Sequence, residues 1–123
     1  MQQYNVTVSM GGSAFPTRLT YNSHSTSTTL TAGESGTVVG NDGAVGAVIF
    51  DLPVASTGLN YNIIDTAQQD ITVRPPAGVT VLFNGLAKTN AAPLVSQSSG
   101  AWLHIVNISA TVWVVYASST SWA

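Results

Sequence analysis

The sequence contains no cysteine and very little charge. The absence of cysteine excludes disulfides, thiolate metal ligands and thiol nucleophiles. Asp, Glu, Lys and Arg make up 7% of the 123 residues, against about 25% in an average soluble protein. The three cations, Arg18, Arg74 and Lys88, are scattered, and the net charge is −2. A phosphate backbone is neutralised by clustered Lys and Arg, so nucleic acid is not an expected partner. No apolar run approaches the ~20 residues of a transmembrane helix, and no basic amphipathic stretch addresses a membrane surface. The start of the chain, Met1-Gln2-Gln3-Tyr4, lacks the basic and apolar regions of a signal peptide. Synthesis in the cytosol without a secretion signal is therefore expected.

What remains is an apolar share of 45% and a surface solvated by Ser, Thr, Asn and Gln. The length fits one domain that buries roughly two-thirds of its unfolded surface. A surface so poor in charge has little repulsion to keep copies apart. It suits a protein that works packed against neighbours, in an oligomer or a lattice.

Good helix formers are scarce, while Val, Thr, Ile and aromatics are common. Short runs of these residues alternate with Gly, Asn, Asp and Pro clusters. The pattern predicts an all-β fold, a compact antiparallel sandwich or barrel-like body of about eight strands with an extended N-terminal arm. The arm is residues 1–28 and the body residues 29–123. In the arm, Tyr4, Val6, Val8 and Met10 alternate with Asn5, Thr7 and Ser9, which gives a strand with one apolar face. A short strand is predicted from Thr17 to Tyr21. Asn22 to Thr29 is Ser/Thr-rich and reads as a linker or extended segment. Too few strands lie in the arm for it to fold alone, so its apolar face is a candidate docking surface.

In the body, strands are predicted over Gly36–Gly40, Val45–Leu52, Leu59–Ile64, Asp70–Arg74, Val79–Phe83, Pro93–Ser96, Ala101–Ile108 and Thr111–Ala117. No repeat of fixed period is present, which argues against a solenoid. Two of these strands are apolar on both faces. In the first, Trp102, His104 and Val106 alternate with Leu103 and Ile105. In the second, Val112-Trp113-Val114-Val115-Tyr116 is apolar throughout. A sandwich strand needs only one buried face. Two-sided apolarity predicts a central barrel position or an intersubunit interface, and the low surface charge favours the interface. Trp102, His104, Val106, Trp113 and Val115 are its candidate contacts.

Residues able to carry chemistry are few. Metal binding needs several His, Cys or carboxylate ligands, and the two histidines, His24 and His104, are far apart. His24 reads as a solvated linker residue and His104 as a satisfied core or interface histidine. No Gly-x-Ser-x-Gly elbow marks a nucleophile. Asp65 and Asp70 are the best carboxylate pair for glycoside hydrolysis, yet they read as turn residues, as do Glu34 and Asp42. Gly40, Gly43 and Gly46 are followed by a strand, not by the Lys and helix of a phosphate loop. Trp122, near the C-terminus, is a candidate glycan contact; its competing role is a C-terminal anchor. No catalytic residue, metal or cofactor is expected.

The order of the turns and strand ends is familiar. It runs from Glu34-Ser35-Gly36-Thr37-Val38-Val39-Gly40-Asn41-Asp42-Gly43 to Val48-Ile49-Phe50-Asp51-Leu52-Pro53, Ala55-Ser56-Thr57-Gly58-Leu59-Asn60-Tyr61 and Ile71-Thr72-Val73-Arg74-Pro75-Pro76-Ala77-Gly78. Trp113-Val114-Val115 and Ser121-Trp122 close it. Over about residues 33–123 this resembles β-rich modules of tailed-bacteriophage virion proteins, including tail-fibre and tail-spike ends and small capsid decoration (cement) proteins. The resemblance implies a trimeric, all-β virion component, and the absence of catalytic residues makes a non-enzymatic structural role the expectation. The short arm before the body favours a free-standing decoration protein over a tail module. Its expected partners are two further copies and the major capsid protein, which the arm would contact. The alternative is a receptor- or glycan-binding tail module.

Overall fold

The computed structural model describes residues 3–10, 13–54 and 56–123, with side chains from residue 20 onward. The described strands are β1 (Gln3–Met10), β2 (Ser13–Ser23), β3 (Thr28–Thr29), β4 (Thr37–Gly40), β5 (Val48–Asp51), β6 (Asn60–Ile64), β7 (Ile71–Arg74), β8 (Thr80–Phe83), β9 (Leu86–Lys88), β10 (Leu94–Val95), β11 (Trp102–Ser109) and β12 (Val112–Ser118). A single 3-10 turn, Ala32–Glu34, is the only helical piece among the described residues. The chain is all-β.

The strands form two sheets. The larger has eight strands in the order β1-β2-β4-β6-β11-β12-β8-β9, and the smaller has four in the order β10-β7-β5-β3. Each strand of the body except β3 and β9 contributes one apolar face to a single core. Val39, Tyr61, Ile63, Val81, Phe83, Leu103, Ile105 and Trp113 come from the large sheet; Val48, Phe50, Ile71, Val73 and Leu94 come from the small one. The alternation is plainest in β5 and β7. Val48, Phe50, Ile71 and Val73 point inward, while Ile49, Asp51, Thr72 and Arg74 point out. Tyr61 stacks on Trp113 at the centre, with ring centroids 6.0 Å apart. Its hydroxyl is satisfied by donating to the Thr31 carbonyl at 2.6 Å. Burial, with the nearby Glu34 carboxylate adding to it, pushes the Tyr61 phenol up to about 12.

The expected antiparallel order is corrected: both sheets are mixed. The chain alternates between them, with β2, β4 and β6 in the large sheet and β3, β5 and β7 in the small one. A strand reached by crossing to the other sheet and back runs in the same direction as the one it left. So β2, β4 and β6 pair in parallel, as do β3, β5 and β7. Thr28 aligns with Phe50, Thr37 with Tyr61 and Val48 with Ile71, so these turns of the coil take about 23 residues, while Tyr21 aligns with Val38 across a shorter first turn. The winding is solenoidal although no sequence repeat announces it. Hairpins return only where the chain stays in one sheet, as in β8–β9 and β11–β12.

β9 was not predicted. Its signal is Asn84-Gly85, both at positive φ (49° and 78°), the requirement of a type I′ hairpin turn. β1 pairs antiparallel with β2 from Gln3 to Met10. The docking face assigned to Tyr4, Val6, Val8 and Met10 falls on side chains outside the described residues. The segment read as a linker is stitched to the body. Asn22 and Ser23 are buried at the end of β2, where they run alongside β4. Asn22 Nδ2 donates to Thr37 Oγ1 at 3.0 Å, and Ser27 Oγ accepts from the Ile49 amide at 2.9 Å.

Gly40 permits this junction. A Cβ at position 40 would fall 2.8 Å from Cε1 of Tyr21, so only glycine lets the ring lie on the strand. Gly40→Ala is expected to cost about 1–3 kcal/mol in urea denaturation through overpacking. The double variant with Tyr21→Ala should recover part of that cost. Strictly additive losses would show that the ring is not what excludes the methyl group.

Candidate functional site

The two sheets present very different outer faces. On the small sheet, Asp51 and Arg74 form an ion pair, with Nε to Oδ1 at 2.6 Å and Nη2 to Oδ2 at 3.1 Å. Ile49, Thr72 and Val95 lie around it, and the face is solvated in the ordinary way. The bidentate pair holds the Arg74 guanidinium above its usual range.

Among the described residues, the outer face of the large sheet has no such pair. Its central strands β6, β11 and β12 contain no Asp, Glu, Lys or Arg. In β11, Leu103, Ile105 and Asn107 point inward, so Trp102, His104, Val106 and Ile108 point out. Trp102 is 46% exposed and Ile108 52%. In β12, Tyr116 follows the alternation of Val112 and Val114 and lies outside, 54% exposed, as the extra residue of a register shift that sets Ala117 opposite His104. Ile64 of β6, Val112 and Val114 of β12 and the exposed Leu82 of β8 extend the same surface.

The polar groups here are few, and two of them satisfy each other. The Tyr116 hydroxyl lies 2.6 Å from Nε2 of His104 and also within hydrogen-bond reach of Nδ1, with ring centroids 4.3 Å apart. Desolvation lowers the His104 pKa from 6.5 and raises that of Tyr116 from 10.0. Opposite His104 on β6 stands Asn62. Four strands, β6, β11, β12 and β8, span ~19 Å, and the 8 residues of β11 span ~26 Å. β6 and β8 are shorter, with 5 and 4 residues, so the face offers roughly 400 Å² per copy. A contiguous apolar patch of that size is often a contact surface.

Of the predicted contacts, Trp102, His104 and Val106 share this outer face. Trp113 and Val115 do not, and their assignment is corrected. Trp113 is fully buried on Tyr61, and Val115 packs against the core. Strands apolar on both faces were read as one interface set, whereas each strand divides its residues between core and surface. Trp122 is also reassigned: it is 5% exposed, and its Nε1 donates to the Trp102 carbonyl at 3.0 Å. Residue 122 bridges to Ser96, which makes it a C-terminal anchor and removes it as a glycan contact.

The remaining reactive side chains hold the fold. Asp65 is buried with Oδ2 accepting from Ser96 Oγ at 2.8 Å and Oδ1 from Asn41 Nδ2 at 3.3 Å. Ser96 Oγ in turn accepts from the Ile71 amide at 2.8 Å, and Asn41 Oδ1 from the Thr66 amide at 2.8 Å. Asp70 is exposed, whereas both oxygens of Asp65 are taken up by Asn41 and Ser96. His24, expected to be solvated, is instead half-buried. Its Nε2 lies 2.6 Å from Glu34 Oε2, and its ring meets Phe50 edge-on at 5.9 Å. Glu34 Oε1 accepts from the amide and hydroxyl of Thr31, both at 3.1 Å. The distant pairings of His24 with Glu34 and of Asp65 with Ser96 left no sequence signal. Among the described residues, no three His, Asp or Glu side chains group as metal ligands.

No protein-family model matches this chain, and no curated protein matches its sequence. Ser96→Ala is expected to lower stability by about 1–3 kcal/mol in urea denaturation, because it leaves one Asp65 oxygen and the Ile71 amide without a side-chain partner. A loss below about 0.5 kcal/mol would mean that the cluster is not a structural clamp.

Proposed function

We propose that this chain is a non-enzymatic structural protein of a tailed-phage virion, a capsid decoration protein that acts as a homotrimer. The observation that carries the reading is the charge-free, aromatic outer face of β6, β11 and β12. Interface cores are depleted in charge and enriched in aromatic residues, and this face has both properties. A second copy is the occupant it suits best. A foreign partner is commonly selected by complementary charge, and these strands offer none. An identical apolar face needs no complementary charge. Three such faces turned toward a threefold axis would form a closed assembly, which leaves the small sheet with its Asp51–Arg74 pair facing water.

The arm supplies the second contact in this reading. Its β1–β2 hairpin would meet the major capsid protein, through the Tyr4, Val6, Val8 and Met10 side or by adding a strand to an exposed edge. Decoration of this kind stabilises a shell by mass action, since the protein binds the assembled form and not its parts. The reactive side chains support a non-enzymatic role: Asp65, Ser96, His24 and Glu34 are committed to internal hydrogen bonds. The alternative is a receptor- or glycan-binding tail module. It is favoured by the exposed aromatics Trp102 and Tyr116, which could stack on sugar rings.

Ile108→Glu places a carboxylate on the outer face and is expected to shift the protein to monomers in sedimentation velocity, with its circular dichroism unchanged. Retention of the oligomer would remove this face as the interface. Removal of residues 1–19 is expected to leave the oligomer intact and abolish binding to expanded capsids. Full decoration by the truncated protein would sink the arm's role. Antibody labelling on the virion tail, together with sugar binding lost in Trp102→Ala, would establish the alternative.

A further inference from the structure

We infer that self-association through this face is gated by acid, and that His104 is the group that carries the gate. The inference rests on the self-association proposed above and names how it is regulated.

His104 sits within β11 on the outer face, between Trp102 and Val106 on its own strand. Two strands flank it. From β6, Asn60, Asn62 and Ile64 share the outer face; from β12, Val112, Val114 and Tyr116 do. Tyr116 is the one titratable group among these residues, and neither strand carries a carboxylate or a cation. An imidazolium at position 104 therefore has no counterion. Its hydrogen-bond partner is the neutral Tyr116 hydroxyl. In the single chain this charge is tolerated because water reaches the face. A second copy laid on the face removes that water, and an unpaired buried charge is strongly disfavoured.

The sign follows from proton counting. Desolvation already holds the His104 pKa below 6.5 in the single chain. Covering the ring lowers it further, so the assembled state binds fewer protons than the free chain. Association therefore weakens as pH falls through the free-chain value and is independent of His104 above it. Each covered His104 lowers the association constant about tenfold per pH unit in that window. Three copies lower the trimer constant about a thousandfold per unit. The other histidine, His24, faces Glu34 near the arm and takes no part in this surface.

The test is sedimentation velocity of the full chain from pH 7.5 to 5.0, with circular dichroism at each pH to confirm that the fold persists. The wild type is expected to be oligomeric at pH 7.5 and to dissociate toward pH 5.0. His104→Gln, which cannot take up a proton, should remain oligomeric at both ends, whereas His24→Gln should behave as the wild type. A wild-type oligomer equally stable at both pH values, with native dichroism, overturns the gate and leaves the self-association reading standing. A wild type that is monomeric at pH 7.5 at high concentration overturns both. Acid dissociation that persists in His104→Gln, or is lost in His24→Gln, overturns the assignment to His104. A proton NMR titration of the wild-type imidazole gives an independent check: its midpoint should fall as protein concentration rises, and a midpoint independent of concentration across assembly overturns the gate.

Discussion

A buried carboxyl clamps the two sheets together at one end. Asp65 follows β6 of the large sheet, and Ser96 follows β10 of the small one. Ser96 Oγ donates to Asp65 and accepts from the first amide of β7, so one hydroxyl joins three segments. Asn41, just beyond β4, completes the set by donating to Asp65 and accepting from the Thr66 and Ala67 amides. The Asp65 backbone also holds the loop before β11, with its amide donating to Ala101 and its carbonyl accepting from Gly100. A buried polar cluster favours one arrangement only when its members are satisfied, because an unpaired group costs more than the bond contributes. This clamp fixes how far the coil of parallel strands can slide, and so where β11 enters the large sheet.

The position of β11 then decides the character of the surface. As an inner strand of the large sheet it gives Leu103 and Ile105 to the core and turns Trp102, His104, Val106 and Ile108 outward. Alternation along β12 turns Tyr116 to the same side, where its hydroxyl meets His104. The small sheet thus has an outer face marked by an ion pair, and the central strands β6, β11 and β12 of the large one have an outer face without charge. Such asymmetry is a property of interfaces more than of free surfaces. Asp65, Ser96, His24 and Glu34 are engaged in internal hydrogen bonds.

Much of the strand content was legible because period-2 alternation is a local signal. β4, β5, β6, β7, β8 and β10 each fall within a predicted run, and β11 and β12 end one residue beyond theirs. β9 escaped because only the Asn84-Gly85 turn announces it. His24 escaped as a partner of Glu34 because contact across 10 positions leaves no trace in composition. The sorting of Trp113 and Val115 from Trp102 and His104 was not legible either. When both faces of a strand are apolar, alternation separates two sets but does not say which faces the core.

The sequence by itself determined an all-β chain without disulfides or charge clusters, and a surface poor in electrostatic repulsion. Those are properties of composition and of neighbouring residues, and they survive any arrangement of the strands. Only the tertiary structure decided that the sheets are mixed, because parallel pairing depends on which sheet the chain visits next. It also decided that Trp122 is an anchor and that Trp102, His104 and Tyr116 share one open face. Those assignments come from contacts between residues far apart in the chain, where the hydrogen bonds of Asp65 and the packing of Trp113 choose one register among those the alternation permits.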